Sequence, residues 1–169
     1  MPAHTRSRPA LLQCLPLPES MADRQAQLKT LYDVVPLWQA ADSTAQQSVL
    51  AQCREHIQVL ATSAFTPASA DFLAQFPQLA AICNLGVGYD NIDLPYARAR
   101  GIAVSNTPDV LNDCVADLAW GLILATLRGM GQAERYTRSG RWTTRLAALP
   151  LGQRVTGKRL GIVGLGRVG

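Results

Sequence analysis

Short apolar runs alternate along the first hundred residues with stretches whose apolar positions recur at helical spacing. Residues 11–15 predict a strand, ended by Pro16 and Pro18. Residues 19–31 predict a helix, with Met21, Leu28 and Leu31 near helical spacing among good helix formers. Residues 34–37 give a second strand, and Pro36 inside it predicts an edge position, because proline cannot donate to a ladder. Residues 43–55 read as a helix capped by Asp42, with Val49, Leu50 and Cys53 on one face. Residues 57–61 are β-rich and almost continuously apolar, as in a sheet covered on two faces. Thr66 and Pro67 are expected to open a helix reaching about Gln75, with Pro67 in its first turn. Residues 79–83 and 102–104 supply a fourth and a fifth strand. Between them Asp93 caps a short helix through Arg100, which Gly101 ends in the left-handed conformation.

Strands and helices in strict alternation predict an α/β fold, a flavodoxin-like doubly wound parallel sheet. After Val104 the pattern changes. A helix over 114–129, capped by Asn112 or Asp113, is apolar almost all round through Val115, Leu118, Trp120, Leu122, Ile123, Leu124 and Leu127. Such a helix is expected to be buried on more than one side. A second helix reaches about Ser139, residues 143–157 form a polar connection, and residues 158–163 predict the first strand of a new sheet. The expected division is 1–104 and 105–169.

Composition narrows the function classes. With 48% hydrophobic and 17% charged residues the balance is globular. The net charge of +4 comes from scattered arginines, and only 6% of residues are aromatic, so no nucleic-acid face is expected. The apolar run 118–127, bracketed by Asp117 and Arg128, is about half of a spanning helix, so no membrane segment is expected. Residues 1–8 carry charge without a following apolar region, which reads as a loose tail and not a secretory signal.

Cys14, Cys53, Cys83 and Cys114 form no C-x-x-C pair and read as small apolar residues in a reducing compartment, the cytoplasm. Cys114 stands near a helix start, where the dipole can lower a thiol's pKa, yet the structural reading is the expected one. His4 lies in the tail and His56 before a strand, away from the expected ligand edge, so neither is placed as a general acid. Asp90 and Asp93 lack a third ligand, and no metal site is expected.

Two segments carry chemistry. Gly164, Gly166 and Gly169 form a G-x-G-x-x-G pattern after the β-branched pair Ile162 and Val163. That pattern opens a dinucleotide-binding unit or is a plain tight turn. Residues 84–93, Asn-Leu-Gly-Val-Gly-Tyr-Asp-Asn-Ile-Asp, stand at the C-terminal end of the fourth strand, where open α/β sheets bind ligands. Gly86 and Gly88 let consecutive N–H groups turn outward as an anion nest; the alternative is an unusual strand-to-helix turn with Asp93 as cap.

In combination, residues 86–93, 97–111, 115–119 and 164–169 resemble the D-isomer-specific 2-hydroxyacid dehydrogenases, and among them the bacterial glyoxylate/hydroxypyruvate reductases. The resemblance runs from about Ile57 to the end; residues 1–56 agree in architecture alone. It implies a substrate-binding domain followed by interdomain helices and the first strand of a truncated Rossmann domain, with the active site in the cleft between domains. It further implies that Val87 and Gly88 hold a substrate carboxylate through their amides. Gly164, Gly166, Arg167, Val168 and Gly169 would meet the pyrophosphate of NAD or NADP, and the helix over 114–129 would form a homodimer. The family's catalytic Arg, Glu and His correspond to positions beyond Gly169. The resemblance therefore implies a reductase of a small 2-keto acid, with this stretch inactive by itself. Another NAD-dependent dehydrogenase, or a non-catalytic corepressor-like member of the fold, would share parts of the pattern.

Overall fold

The computed structural model describes residues 8–143 and 151–169; His4 and most of the N-terminal tail, and part of the 143–157 connection, lie outside them. The chain divides into two compact units, Met1–Pro108 and Asp109–Gly169. The first holds five parallel strands in the order β2-β1-β3-β4-β5: Ala10–Gln13, Asp33–Pro36, Ile57–Thr62, Ala81–Asn84 and Ala103–Ser105 for β1 to β5. This is the doubly wound order expected. Pro36 does lie on an edge strand, β2.

The helices of this unit are α1 (Ala22–Leu31, entered through a 3₁₀ turn at Glu19–Met21), α2 (Ser43–Cys53), α3 (Ala70–Ala74) and α4 (Leu94–Ala99). Asp42 caps α2 by accepting from the Ala45 amide at 2.8 Å, and Asp93 caps α4 by accepting from Tyr96 at 2.9 Å. Gly101, at φ 69°, ends α4 as read from the sequence. The start of α3 differs: Ser69, not the Thr66-Pro67 pair, is its N-cap. Ala68 instead bridges Ile92, its amide donating to Asn91 O and its carbonyl accepting from the Asp93 amide. That pairing holds the chain extended until Ser69. Arg100 then closes the other end of α3, its guanidinium donating to the carbonyls of Phe76 and Pro77.

Right-handed crossovers place α2, α3 and α4 on one face of the sheet. There Leu12, Leu60 and Ile82 pack with Leu73, Phe76 and Ala97, all at most 1% exposed, in one continuous core. The opposite face carries α1 beside β1, where the buried Gln13 amide exchanges hydrogen bonds with Gln25 of α1 at 2.9 and 3.0 Å. A cavity of about 240 Å³ lies between α1 and this face, lined by Leu28, Leu11, Val59 and Ala61. Farther along, Cys83, Ala103 and Ser105 are exposed. The sheet is thus covered on both faces near β1 and on one face near β5, less fully than the apolar run at 57–61 suggested.

These two environments separate the thiols. Burial pushes the Cys14 thiol from its ordinary 9.0 up to about 12, and it raises Cys53 as well. Cys83 is expected to react with a disulfide reagent at pH 8 well before Cys14, as peptide mass mapping over time would show; equal rates would contradict the packing. Because the folded state favours the protonated Cys14, its contribution to stability is complete below pH 9.0 and is lost as the pH rises toward about 12.

The second unit contains α5 (Asn112–Leu127) and α6 (Met130–Arg138), joined through Gly129 at φ 64°. Neither proposed cap acts on α5: Leu111 occupies the cap position, and the Asn112 amide donates to the Asp109 carboxylate at 3.0 Å. No residue of α5 is buried, and Leu118 is 61% exposed, so the expected burial on several sides is not supplied by this unit. Residues 158–163 do not form the predicted sixth strand. A strand exists only by pairing, and the described residues of this unit contain no other strand to pair with. No single described helix is long and apolar enough to cross a membrane.

Candidate functional site

Strand β4 ends at Asn84, and the chain turns through Leu85 to Asn91 before α4. Three loops meet at this C-terminal edge of the sheet, after β3, β4 and β5. Asn91 ties the first two, its Nδ2 donating to the carbonyls of Ser63 (3.0 Å) and Thr66 (2.9 Å). Thr107 ties the second to the third: its Oγ1 accepts from the Gly86 amide at 3.1 Å, and its own amide donates to Gly86 O at 3.0 Å.

Four consecutive carbonyls of this loop, from Gly86 to Tyr89, are engaged. Gly86 O accepts from Thr107, Val87 O from Asn106 Nδ2 at 2.8 Å, and Gly88 O from Asn84 Nδ2 at 2.7 Å. Tyr89 O accepts from the Ile92 amide at 3.0 Å. In a planar trans peptide the N–H points opposite to the carbonyl of the preceding residue. Anchoring these oxygens therefore turns the amides of Val87, Gly88 and Tyr89 away from their anchors, and none of the three has a partner among the described residues. A Cβ placed on Gly88 would meet nothing within 4 Å, so no neighbouring residue packs against the loop at that point. Such a row of free amides binds an oxyanion.

The structure thus leaves the adjacent amides of Val87 and Gly88 both without a partner among the described residues. Asp93 serves as a helix cap, and no group of metal-ligating side chains occurs among the described residues. His56 stands just before β3, at the strand end remote from this loop. Sequence reasoning missed Asn84, Asn91, Asn106 and Thr107. The available signal was an asparagine at the inward-facing end of a buried strand, since a buried amide needs partners and strands disfavour it.

The second motif lies in the other unit. Gly164 has φ 87°, and a Cβ on Gly169 would stand 2.6 Å from Gly164 O and 2.9 Å from Leu165 Cα. The fingerprint is a tight turn closed on itself, in which the last glycine is required by contact. The amides of Arg167 and Val168 have no partner among the described residues. The Arg167 guanidinium pairs with Asp109 and, more than the Asn112 amide, holds that carboxyl below the usual range.

Residues 18–157 match the family model described as the D-isomer-specific 2-hydroxyacid dehydrogenase catalytic domain. A glyoxylate reductase of Thermococcus kodakarensis is 42% identical over 139 residues, which are 80% of this chain and 41% of the relative. A 2-hydroxyacid dehydrogenase from Ketogulonicigenium vulgare superposes with a TM-score of 0.80 at 40% identity, over 96% of this chain and 49% of that one. An NADPH-dependent glyoxylate/hydroxypyruvate reductase from Sinorhizobium meliloti, solved with NADP and malonate, gives 0.73 at 36% identity, over 96% and 48%. The chain spans less than half the length of each of these proteins. Sheet order, glycine loop and family model agree: the chain belongs to the D-isomer-specific 2-hydroxyacid dehydrogenases.

Proposed function

We propose that this chain is the acid-holding part of a longer oxidoreductase that reduces a small 2-keto acid, glyoxylate or hydroxypyruvate, to its D-2-hydroxy acid with NADH or NADPH. The observation that carries this reading is the row of outward amides at Val87 and Gly88, set by anchored carbonyls. Two N–H groups facing one carboxylate make charge-assisted hydrogen bonds, about twice as strong as neutral ones. Holding the acid group fixes where the adjacent carbonyl carbon lies, which is the positioning that hydride transfer needs. A bound nicotinamide supplies the hydride. Gly164, Gly166, Arg167, Val168 and Gly169 are read as the turn that holds its pyrophosphate, through the amides of Arg167 and Val168.

The names of the relatives support the substrate class, and malonate in the Sinorhizobium meliloti structure shows that reductase accepting a small carboxylate. We assign α5, whose Leu118 and Trp120 are 61% and 53% exposed, to contact with a second copy of the chain. Four free thiols favour a reducing compartment, the cytoplasm.

Steady-state assays test the reading. The longer polypeptide is expected to oxidise NADPH or NADH with glyoxylate or hydroxypyruvate. Residues 1–169 alone are expected to give no turnover, because among the described residues no histidine lies beside the 86–88 loop to protonate the carbonyl oxygen. A longer polypeptide that binds both ligands without turnover would establish the non-catalytic alternative. Turnover by residues 1–169 alone would overturn the assignment of proton donation to residues elsewhere.

A further inference from the structure

The acid cradle is made of backbone amides, so its precision depends on whatever fixes those peptide planes. Asn106 follows β5, is half-buried, and donates from Nδ2 to Val87 O at 2.8 Å. Asn84 ends β4, is 2% exposed, and donates from Nδ2 to Gly88 O at 2.7 Å and to Gly86 O at 3.4 Å. Both neighbours of the Asn84 Nδ2 are acceptors, so its orientation is settled, and its buried Oδ1 has no partner among the described residues. A buried amide left half satisfied costs free energy, and here the satisfied half is the one that grips the loop.

We propose that Asn106 and Asn84 are positioning residues for substrate binding: Asn106 aims the Gly88 N–H, and Asn84 aims the Tyr89 N–H, each by holding the carbonyl of the same peptide group. Asn106 is the sharper case. The Val87–Gly88 peptide has one described anchor, Asn106, whereas the Gly86–Val87 peptide is also held by the Thr107 amide. The proposal rests on the reading of the loop as an acid cradle and adds that the cradle is tuned by side chains that never touch the acid. It also makes Tyr89 N–H a third donor.

The test uses residues 1–169, with oxalate as probe and two variants. Asn106→Ala removes the anchor at a half-buried position, where the core is undisturbed. It is expected to weaken oxalate binding at least tenfold, the loss of one charge-assisted hydrogen bond, and to change the residual dipolar coupling of the Gly88 N–H. Asn106→Asp keeps the shape but turns a donor into an acceptor facing Val87 O. It is expected to bind as poorly at neutral pH and to recover as its carboxyl protonates, with a midpoint at or above about pH 4 because the facing carbonyl favours the acid form, which donates again. A residue with a packing role alone would show no such recovery.

An unchanged Gly88 coupling in Asn106→Ala overturns the proposal, and so does Asn106→Asp binding that does not return on acidification. If the unaltered chain fails to bind oxalate, the acid-cradle reading falls. The coupling still decides whether Asn106 aims the amide, since it is read without ligand.

Discussion

Gly88→Pro is expected to weaken carboxylate binding by the 86–88 loop roughly ten- to a hundredfold, because it deletes one N–H that faces the acid. A hydrogen bond to a charged group is worth about 1.5–3 kcal/mol, which sets that range. The carbonyl anchors of the loop do not involve the Gly88 nitrogen, so they remain available to the variant. Gly88→Ala is the control. It keeps the N–H, and its Cβ meets nothing within 4 Å, so its affinity is expected to stay within about threefold of the parent, under 1 kcal/mol. Isothermal titration with oxalate compares the two. Equal loss in both variants would mean that the loop's shape matters and its donor does not.

The largest effect on stability is expected at Phe76, at 0% exposure the largest side chain in the core. Its ring meets Phe72 edge-on at 5.1 Å between centroids, and its carbonyl receives the Arg100 guanidinium. Phe76→Ala removes the packing of a full aromatic ring and leaves a cavity, a change that costs about 3–5 kcal/mol. Domains of this size hold about 5–15 kcal/mol in all, so the variant would melt on the order of 20 °C lower or fail to fold. Phe65→Ala, at 94% exposure, is expected to change stability by less than about 0.5 kcal/mol. Chemical denaturation of both variants checks the contrast; similar midpoints would place the core elsewhere.

The sheet was legible because β-branched and apolar runs of three to six residues alternate with helical spacing, and because aspartates at 42 and 93 mark helix starts by a local mechanism. Pro36 gave the edge for the same kind of reason: a missing donor is a property of one residue. The start of α3 was not legible, since Pro67 suits a first turn and what overrides it is a bridge between Ala68 and Ile92, 24 positions apart. Residues 158–163 failed as a strand for a related reason. Their β-branched character is local, but a ladder is not.

At the site, the glycines announced that the backbone could turn, and they announced nothing about what holds it turned. Asn106 reaches Val87 across 19 positions, and Asn91 reaches Ser63 across 28. Those contacts exist only once parallel strands have been set side by side, so no spacing rule within one loop could show them. The all-round apolar character of α5 led to an expectation of burial, and its own unit does not supply that burial.

If free backbone amides at one sheet edge receive the acid group, titrating ¹⁵N-labelled residues 1–169 with glyoxylate will move those amide resonances above all others. Saturable shifts are expected at Val87 and Gly88, with Tyr89 beside them. Shifts that gather elsewhere, or none at these amides at saturating acid, would contradict the acid cradle.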